Sequence, residues 1–127
     1  MANPVSVSKF EVKSHGSPDE VRSPDKTRVE VVDLGGVKAA RLTFQPGWRW
    51  SECVKPVVGG DSCQAHHVGV VVSGTMGIRN ADGTEGEAGP GTAYVIEPGH
   101  DGWTVGDEAV VAYEFDSSAA QTYAKPS

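Results

Sequence analysis

The stretch His67-Val68-Gly69-Val70-Val71-Val72-Ser73-Gly74 decides the fold that we predict for this chain. Four of its residues are valines, and β-branched side chains favour extended backbone over helix. It is the most apolar predicted strand in the sequence, so we expect it to lie in the centre of a sheet. A turn follows at once, because Gly74 accepts backbone conformations that other residues avoid.

Short segments with alternating apolar and polar residues continue on both sides of this run. The chain has 16 Gly and 8 Pro among its 127 residues, which suits many short strands better than a helical bundle. Asp82-Gly83 is a strong hairpin signal because this dipeptide accepts positive φ. We predict a surface loop at residues 14–26 and strands at 5–12, 28–32, 37–44, 48–55, 67–72, 76–79, 84–87, 93–96, 103–105 and 109–115. So many short strands in one small chain predict an all-β sandwich or barrel.

Composition and charge argue against several classes of function. A chain of 127 residues fits one domain. The formal net charge is −6 and no cluster of Lys or Arg is present, so we expect no nucleic-acid partner and no membrane partner. No run approaches the length of a membrane span, and the first residues lack the pattern of a signal peptide, so we expect a cytoplasmic protein. Its two cysteines are too few for a disulfide scaffold.

Two segments of the chain resemble the two conserved motifs of the cupin superfamily. Gln45-Pro46-Gly47, the His66-His67 pair and the valine run up to Gly74 resemble the first motif, and residues 91–100 resemble the second. The resemblance extends from about residue 27 to residue 115 and implies a double-stranded β-helix, a small barrel related to the jelly roll. We therefore expect an N-terminal edge strand and loop at 1–26, a cupin barrel at 27–116 and a flexible C-terminal tail at 117–127.

The metal ligands that cupin motifs usually carry are replaced in this sequence. The first motif usually contains His-x-His-x3-Glu, and Asp61, Cys63 and His67 occupy these positions here. Gly102 occupies the position of the usual His in the second motif, and His100 lies two residues earlier. The usual three-His, one-Glu site is therefore not supported. Cys63, His67 and His100, with Asp61 as a further candidate, could hold zinc, copper, iron or nickel, or the barrel could hold no metal.

The direction of these side chains combines strand geometry with the motif register. Successive side chains on a strand point to opposite faces, so Cys63 and His67 are expected to share one face and His66 the other. The register of the first cupin motif implies that the face of His67 is the inner one. The competing interpretation of His67 is a hydrogen-bonded interior histidine without metal. For His100, a turn histidine that holds loop backbone is the alternative, and the neighbouring Asp101 could orient it.

The predicted lining of a ligand pocket comprises Arg49, Trp50, Cys63 and Trp103. A guanidinium can hold a carboxylate ligand at two points, and an indole ring can form the wall of a pocket. Solvated arginines, and tryptophans packed at the barrel end or at a dimer interface, stay open as alternatives. Cys53 is expected to be a small core residue, with a Cys53–Cys63 disulfide left open.

These predictions favour a small-molecule-binding cupin that acts as a metal-assisted isomerase, cyclase, lyase or dioxygenase, with His67 and His100 as catalytic residues. The first alternative is a non-catalytic ligand-binding or regulatory cupin without metal. The second is a metal-free acid/base catalyst that uses one of these histidines with a carboxylate. The resemblance also implies a homodimer formed through sheet edges, to which the strand at 5–12 could contribute.

Overall fold

The computed structural model describes residues 10–115, and they form nine strands and two short helices. None of the described helices is long and apolar enough to cross a membrane. The prediction of an all-β fold is confirmed. In chain order the elements are β1 (Glu20–Arg22), β2 (Thr27–Leu34), β3 (Val37–Phe44), α1 (Trp50–Cys53), α2 (Lys55–Val58), β4 (His67–Ser73), β5 (Thr75–Asn80), β6 (Glu85–Ala88), β7 (Ala93–Ile96), β8 (His100–Val105) and β9 (Val110–Phe115).

The strands form two antiparallel sheets, one of six strands in the order β1-β2-β3-β9-β4-β7 and one of three strands in the order β6-β5-β8. The valine-rich strand β4 has a neighbour on each side, as the sequence predicts, and pairs with β9 and β7. In the register of β4 and β9, Gly69 lies opposite Glu114. This pairing puts the only acidic residue of β9 beside a position without a side chain.

The core lies between the two sheets, where the inward positions of the strands meet. Val29, Leu42, Val71 and Ala112 are almost completely buried there, because alternate residues of each strand point to the same face. Burying apolar side chains in this way is the main favourable contribution to folding, at roughly 25 cal/mol per Å². The structure thus has a conventional core that needs no disulfide, and both cysteines are free.

The predicted strand at 48–55 is wrong, because the chain forms α1 and α2 there. Trp50 and Cys53 stand three residues apart and are both buried, which is the spacing of one helical face. Pro56 lies in the first turn of α2, where its missing N–H costs little. The alternation of apolar residues was therefore too short to distinguish a strand from two helical turns.

The prediction for the N-terminal part needs a second correction. Residues 20–22 form β1, which pairs with β2, although the sequence predicts a loop there. Arg22 is buried on this edge strand and donates to Glu20 from Nε at 2.8 Å, so a charged segment joins the sheet through its own ion pair. The predicted strand at 5–12 falls partly outside the described residues, and residues 10–12 are not in a strand. The predicted tail at 117–127 also lies outside them.

Candidate metal centre

Cys63, His67 and His100 come together between the two sheets, with one potential ligand atom of each within 4.8 Å of the others. All three residues are buried. His67 begins β4 and His100 begins β8, so each sheet supplies one imidazole. The backbone N–H of Cys63 donates to the carbonyl of His100 at 2.7 Å, which attaches the loop before β4 to the start of β8. The sequence prediction that these three groups meet in the interior agrees with this geometry.

The imidazole of His67 is held from its other side by Glu114 of β9. The two carboxylate oxygens lie 2.9 and 3.0 Å from Nδ1, so Nδ1–H donates to the carboxylate. Nε2 faces the other way and lies 3.7 Å from Sγ of Cys63. The hydroxyl of Tyr94 donates to the same carboxylate at 2.6 Å. His67 therefore presents Nε2 to the cluster in a fixed orientation.

His100 is oriented in a similar way, but by backbone. Its Nδ1 donates to the carbonyl oxygen of Glu97 at 2.7 Å, so Nε2 is the ring nitrogen that this backbone contact does not engage. The rings of His67 and His100 meet edge to face, with centroids 5.0 Å apart and an interplanar angle of 67°. Outer hydrogen bonds of this kind, to a carboxylate or a backbone carbonyl, are typical of histidines that bind metals.

The electrostatics of the cluster favour ionised forms. Burial raises the pKa of the Cys63 thiol, but hydrogen bonds with His100 and His67 lower it by more than burial raises it. The resulting pKa is about 7. For His67, burial lowers the pKa, while the charge of Glu114 and the hydrogen bonds to Cys63 and Glu114 raise it to about 10. A thiolate is the form of cysteine that binds metals and acts as a nucleophile.

The space beside the cluster is small. His67, His100 and Glu114 line a cavity of about 20 Å³ whose remaining walls include Phe44, Trp48, Trp50, Met76, Ile78, Ile96 and Gly102. A cavity needs roughly 10–15 Å³ to hold one water molecule, so this one has room for an ion or a water but not for an organic metabolite. Two of these wall residues, Phe44 and Trp48, are buried and stack on each other with their ring centroids 3.9 Å apart.

Three of the predicted site residues lie elsewhere. Arg49 and Trp103 do not line this cavity: the Arg49 guanidinium lies 4.8 Å from the centroid of the Trp103 ring, which packs across Gly77. Trp103 and His100 are an odd number of residues apart on β8, so their side chains point to opposite faces. Asp61 is exposed in a bend and is not part of the cluster. Trp50, in contrast, is buried and lines the cavity as predicted.

Three neighbouring residues whose roles the sequence left open are not part of the cluster: His66, Asp101 and Cys53. His66 points outward as predicted, with Nε2 3.5 Å from the Glu97 carboxylate. Asp101 does not orient His100, because its carboxylate accepts hydrogen bonds from the hydroxyl and backbone N–H of Ser51. Cys53 is a buried core residue, as expected.

Glu114 and Tyr94 are the residues of the site that sequence reasoning missed. A signal for Glu114 was present, since it shares its strand face with Val110 and Ala112, which are buried. An acidic residue on an apolar strand face must find a partner in the interior, because an unpaired buried charge is costly. The partner could not be identified, since it comes from a strand 47 positions away in the sequence.

No known family profile matches the sequence, and no curated protein matches it either. Several solved structures, in contrast, are similar to the fold of this chain. One is a protein of unknown function from Rhizobium leguminosarum bv. viciae 3841, at 20% identity and a TM-score of 0.59, covering 84% of this chain and 96% of that one. The polyketide cyclase RemF from Streptomyces resistomycificus is similar at 15% identity and a TM-score of 0.59, over 86% and 79%. The cupin domain of Schizosaccharomyces pombe Cnp3 is similar at 11% identity and a TM-score of 0.52, over 79% and 67%.

Proposed function

We propose that this chain, which has the cupin fold, is a metal-dependent enzyme that holds zinc or copper with Cys63, His67 and His100 and acts on a small organic molecule. The observation that carries the proposal is the buried cluster itself, in which Nδ1 of each imidazole is engaged by an oxygen acceptor and Nε2 of His67 faces Sγ of Cys63 at 3.7 Å. The similarity to a polyketide cyclase agrees with an enzymatic role.

The donor set fits such a metal. Thiolate and imidazole are soft or intermediate donors, which favour zinc and copper over magnesium and calcium. Tetrahedral zinc has Zn–S and Zn–N bonds of about 2.3 and 2.0–2.1 Å, which would separate a sulfur and a nitrogen ligand by about 3.6 Å. The distance from Sγ of Cys63 to Nε2 of His67 is 3.7 Å, so these two atoms already have the spacing of ligands.

The residues around the cluster have distinct tasks in this proposal. Glu114 holds the Nδ1 proton of His67, and Tyr94 fixes that carboxylate. Because the pKa of His67 is about 10, metal binding at Nε2 would displace the second ring proton. Trp48 and Trp50 are buried beside His67 and His100 and exclude bulk water from the site. A bound metal would supply Lewis acidity, to polarise a carbonyl or to activate water. Three protein ligands leave room for a further ligand, as in catalytic rather than structural zinc sites.

The test is elemental analysis of the untagged protein, purified and then reconstituted with zinc or copper. We expect close to one metal ion per chain, lost in Cys63→Ser and His67→Gln. Matched controls are Cys53→Ser, the other buried cysteine, and His66→Gln, the adjacent histidine outside the cluster. Metal content near zero in the reconstituted wild-type protein, or equal loss in the control variants, would contradict the proposal.

A second function is favoured by one observation, the series of contacts Cys63–His67–Glu114. A thiol beside an imidazole that is oriented by a carboxylate is the arrangement of metal-free cysteine nucleophiles. The two functions differ in their response to a chelator. Reaction of the chelated protein with iodoacetamide at Cys63 that follows an ionisation near pH 7, in a protein that takes up no metal, would favour the nucleophile.

A further inference from the structure

A cleft of about 560 Å³ is lined by residues of β5, β6, β7 and the adjoining turns. It lies between β6 and β7, which are edge strands of the three-stranded and the six-stranded sheet. Small-molecule sites usually have volumes of about 300–1,000 Å³. The cleft therefore has the size for an organic ligand that the cavity of about 20 Å³ lacks.

The floor of the cleft is also the wall of the metal centre. Met76, Ile78 and Ile96 line both the cleft and the cavity that contains His67 and His100. A single layer of side chains thus separates the two spaces, and a substrate in the cleft would reach the cluster only when one of these side chains moves aside.

The charged residues that line the cleft are all acidic. Asp82, Glu85, Glu87 and Glu97 line it, and no Lys, Arg or His among the described residues does. Hydrogen bonds from Thr84 lower the pKa of Asp82, so this group stays ionised. Two of these acids face basic groups that lie outside the lining, with Arg79 4.0 Å from Glu85 and His66 3.5 Å from Glu97. The apolar part of the lining is provided by Met76, Ile78, Ala88, Tyr94, Ile96 and Pro98.

We propose that this cleft binds the organic substrate, and that the substrate is an amine cation with an apolar body. That the ligand is a substrate rests on the proposed function. The position of the site and the chemistry of its ligand rest on the cleft alone. The apolar floor removes the body from water, while the acidic rim attracts a cationic head. A carboxylate substrate is disfavoured by the same rim, because like charges repel in a partly desolvated site.

Three probes that share a phenyl ring and differ in charge test this preference: benzylamine, benzyl alcohol and benzoate. Each is titrated into the ¹⁵N-labelled metal-free protein, and amide shifts are followed by NMR. We expect benzylamine to shift residues of β6 and β7 and to bind about tenfold more tightly than benzoate, a preference that shrinks at high salt. Equal affinity for the amine and the carboxylate, or shifts confined to other surfaces, would overturn the proposal.

Variants make the test specific to the rim. The double variant Glu87→Gln/Glu97→Gln is expected to weaken benzylamine binding several-fold and to leave benzyl alcohol binding unchanged. The double variant Asp107→Asn/Glu108→Gln removes two exposed acids outside the cleft and serves as the control. If it weakens benzylamine binding as much as Glu87→Gln/Glu97→Gln does, the protein's overall charge rather than the cleft attracts the amine, and the proposal fails.

The link between cleft and cluster has its own measurement. In protein loaded with paramagnetic cobalt, the protons of bound benzylamine should relax faster than in protein loaded with zinc, because the ligand lies near the cluster. Unchanged relaxation would place the amine elsewhere. Metal uptake without amine binding would overturn this inference alone, and amine binding without metal uptake would overturn only the proposed metal-dependent function.

Discussion

Glu114 of β9 and His67 of β4 form a buried ion pair, with 2.9 Å between a carboxylate oxygen and Nδ1, on neighbouring strands of the six-stranded sheet. Their side chains are only 2% and 7% exposed. Burying such a pair has a desolvation cost that is acceptable where the geometry is good and the remaining lone pairs are satisfied. Tyr94 satisfies one of them. The pair therefore gives a reason for an acidic residue in the middle of an apolar core.

The first prediction concerns Glu114→Gln, which keeps the shape of the side chain and removes its charge. We expect metal affinity to fall about 10–100-fold, because an oriented and electron-rich His67 depends on the carboxylate behind it. Competition with a chromophoric chelator measures this change. The companion variant Tyr94→Phe removes only the hydroxyl donor and should have a smaller effect in the same direction. Unchanged affinity in a folded Glu114→Gln protein would show that the carboxylate has no part in metal binding.

The second prediction concerns Gly69, which makes room for the side chain of Glu114. A Cβ atom at position 69 would overlap the carbonyl of Tyr113 and lie 2.8 Å from Cγ of Glu114. We expect Gly69→Ala to destabilise the protein by about 1–3 kcal/mol and to displace the ion pair, since backbone and packed core cannot yield easily. Urea denaturation measures the first effect, and the NMR signal of the His67 Nδ1 proton reports the second.

Gly86→Ala is the matched control for this prediction. Gly86 also lies in a strand, but a Cβ atom there would meet nothing within 4 Å. Its substitution should change the free energy of unfolding by less than about 0.5 kcal/mol. Similar losses in both variants would mean that general strand effects, rather than the space below Glu114, determine the cost.

The third prediction concerns the layer between the cleft and the cluster. Met76→Ala truncates a buried side chain that lines both spaces, so the two should become continuous. In a Cys53→Ser background, Cys63 is the remaining thiol, and its rate of reaction with a thiol reagent should rise about tenfold or more. The expected loss of stability is about 2–5 kcal/mol.

General destabilisation could also expose a thiol, and Val29→Ala controls for it. Val29 is fully buried in the same core but lines neither space. Truncating Val29 should lower the free energy of unfolding. It should raise the reactivity of the Cys63 thiol only as far as the larger unfolded fraction explains. If Val29→Ala raises the rate as much as Met76→Ala does, Met76 is not a barrier between cleft and cluster.

The fourth prediction is a pH dependence of stability. Glu30 on β2 is buried opposite Arg41 of β3, with Nε of Arg41 at 2.8 Å. The hydrogen bond from Arg41 lowers the pKa of Glu30 below its usual 4.5, against the opposing effect of burial. A carboxyl group with a lowered pKa in the folded state stabilises the protein above the unfolded pKa. This stabilisation is lost as the pH falls below about 4.5 and through the folded pKa.

Glu30→Gln should therefore reduce the free energy of unfolding by about 1–2 kcal/mol at pH 7, with the difference from wild type shrinking below pH 4.5. Chemical denaturation at several pH values measures it. Glu85→Gln removes an exposed acid whose pair with Arg79 is 4.0 Å long, and it should have almost no effect. A difference between Glu30→Gln and wild type that is constant from pH 3 to 7 would contradict the prediction.

The site shows where sequence reasoning was sufficient and where it was not. The register of the first cupin motif implied the inward direction of His67, and alternation then predicted that His66 points outward. Arg49 and Trp103 were placed in the pocket although they pack against each other on the other side of β8 from His100. Counting positions from His100 would have separated Trp103 from the cluster. Nothing in the sequence, however, indicates that Arg49 lies against that ring.

The sequence by itself determined the all-β fold, the position of the valine strand between two neighbours and, through the register of the cupin motif, the inward direction of Cys63 and His67. The first two follow from local rules, because β-branched residues prefer extended backbone and glycine permits turns. Only the tertiary structure decided that Glu114 lies behind His67, that aromatic rings fill the interior, and that the larger space is the cleft between β6 and β7. Those features depend on the pairing of distant strands and on how the two sheets pack. The free energy of each such contact depends on residues far apart in the sequence, which a local pattern cannot identify.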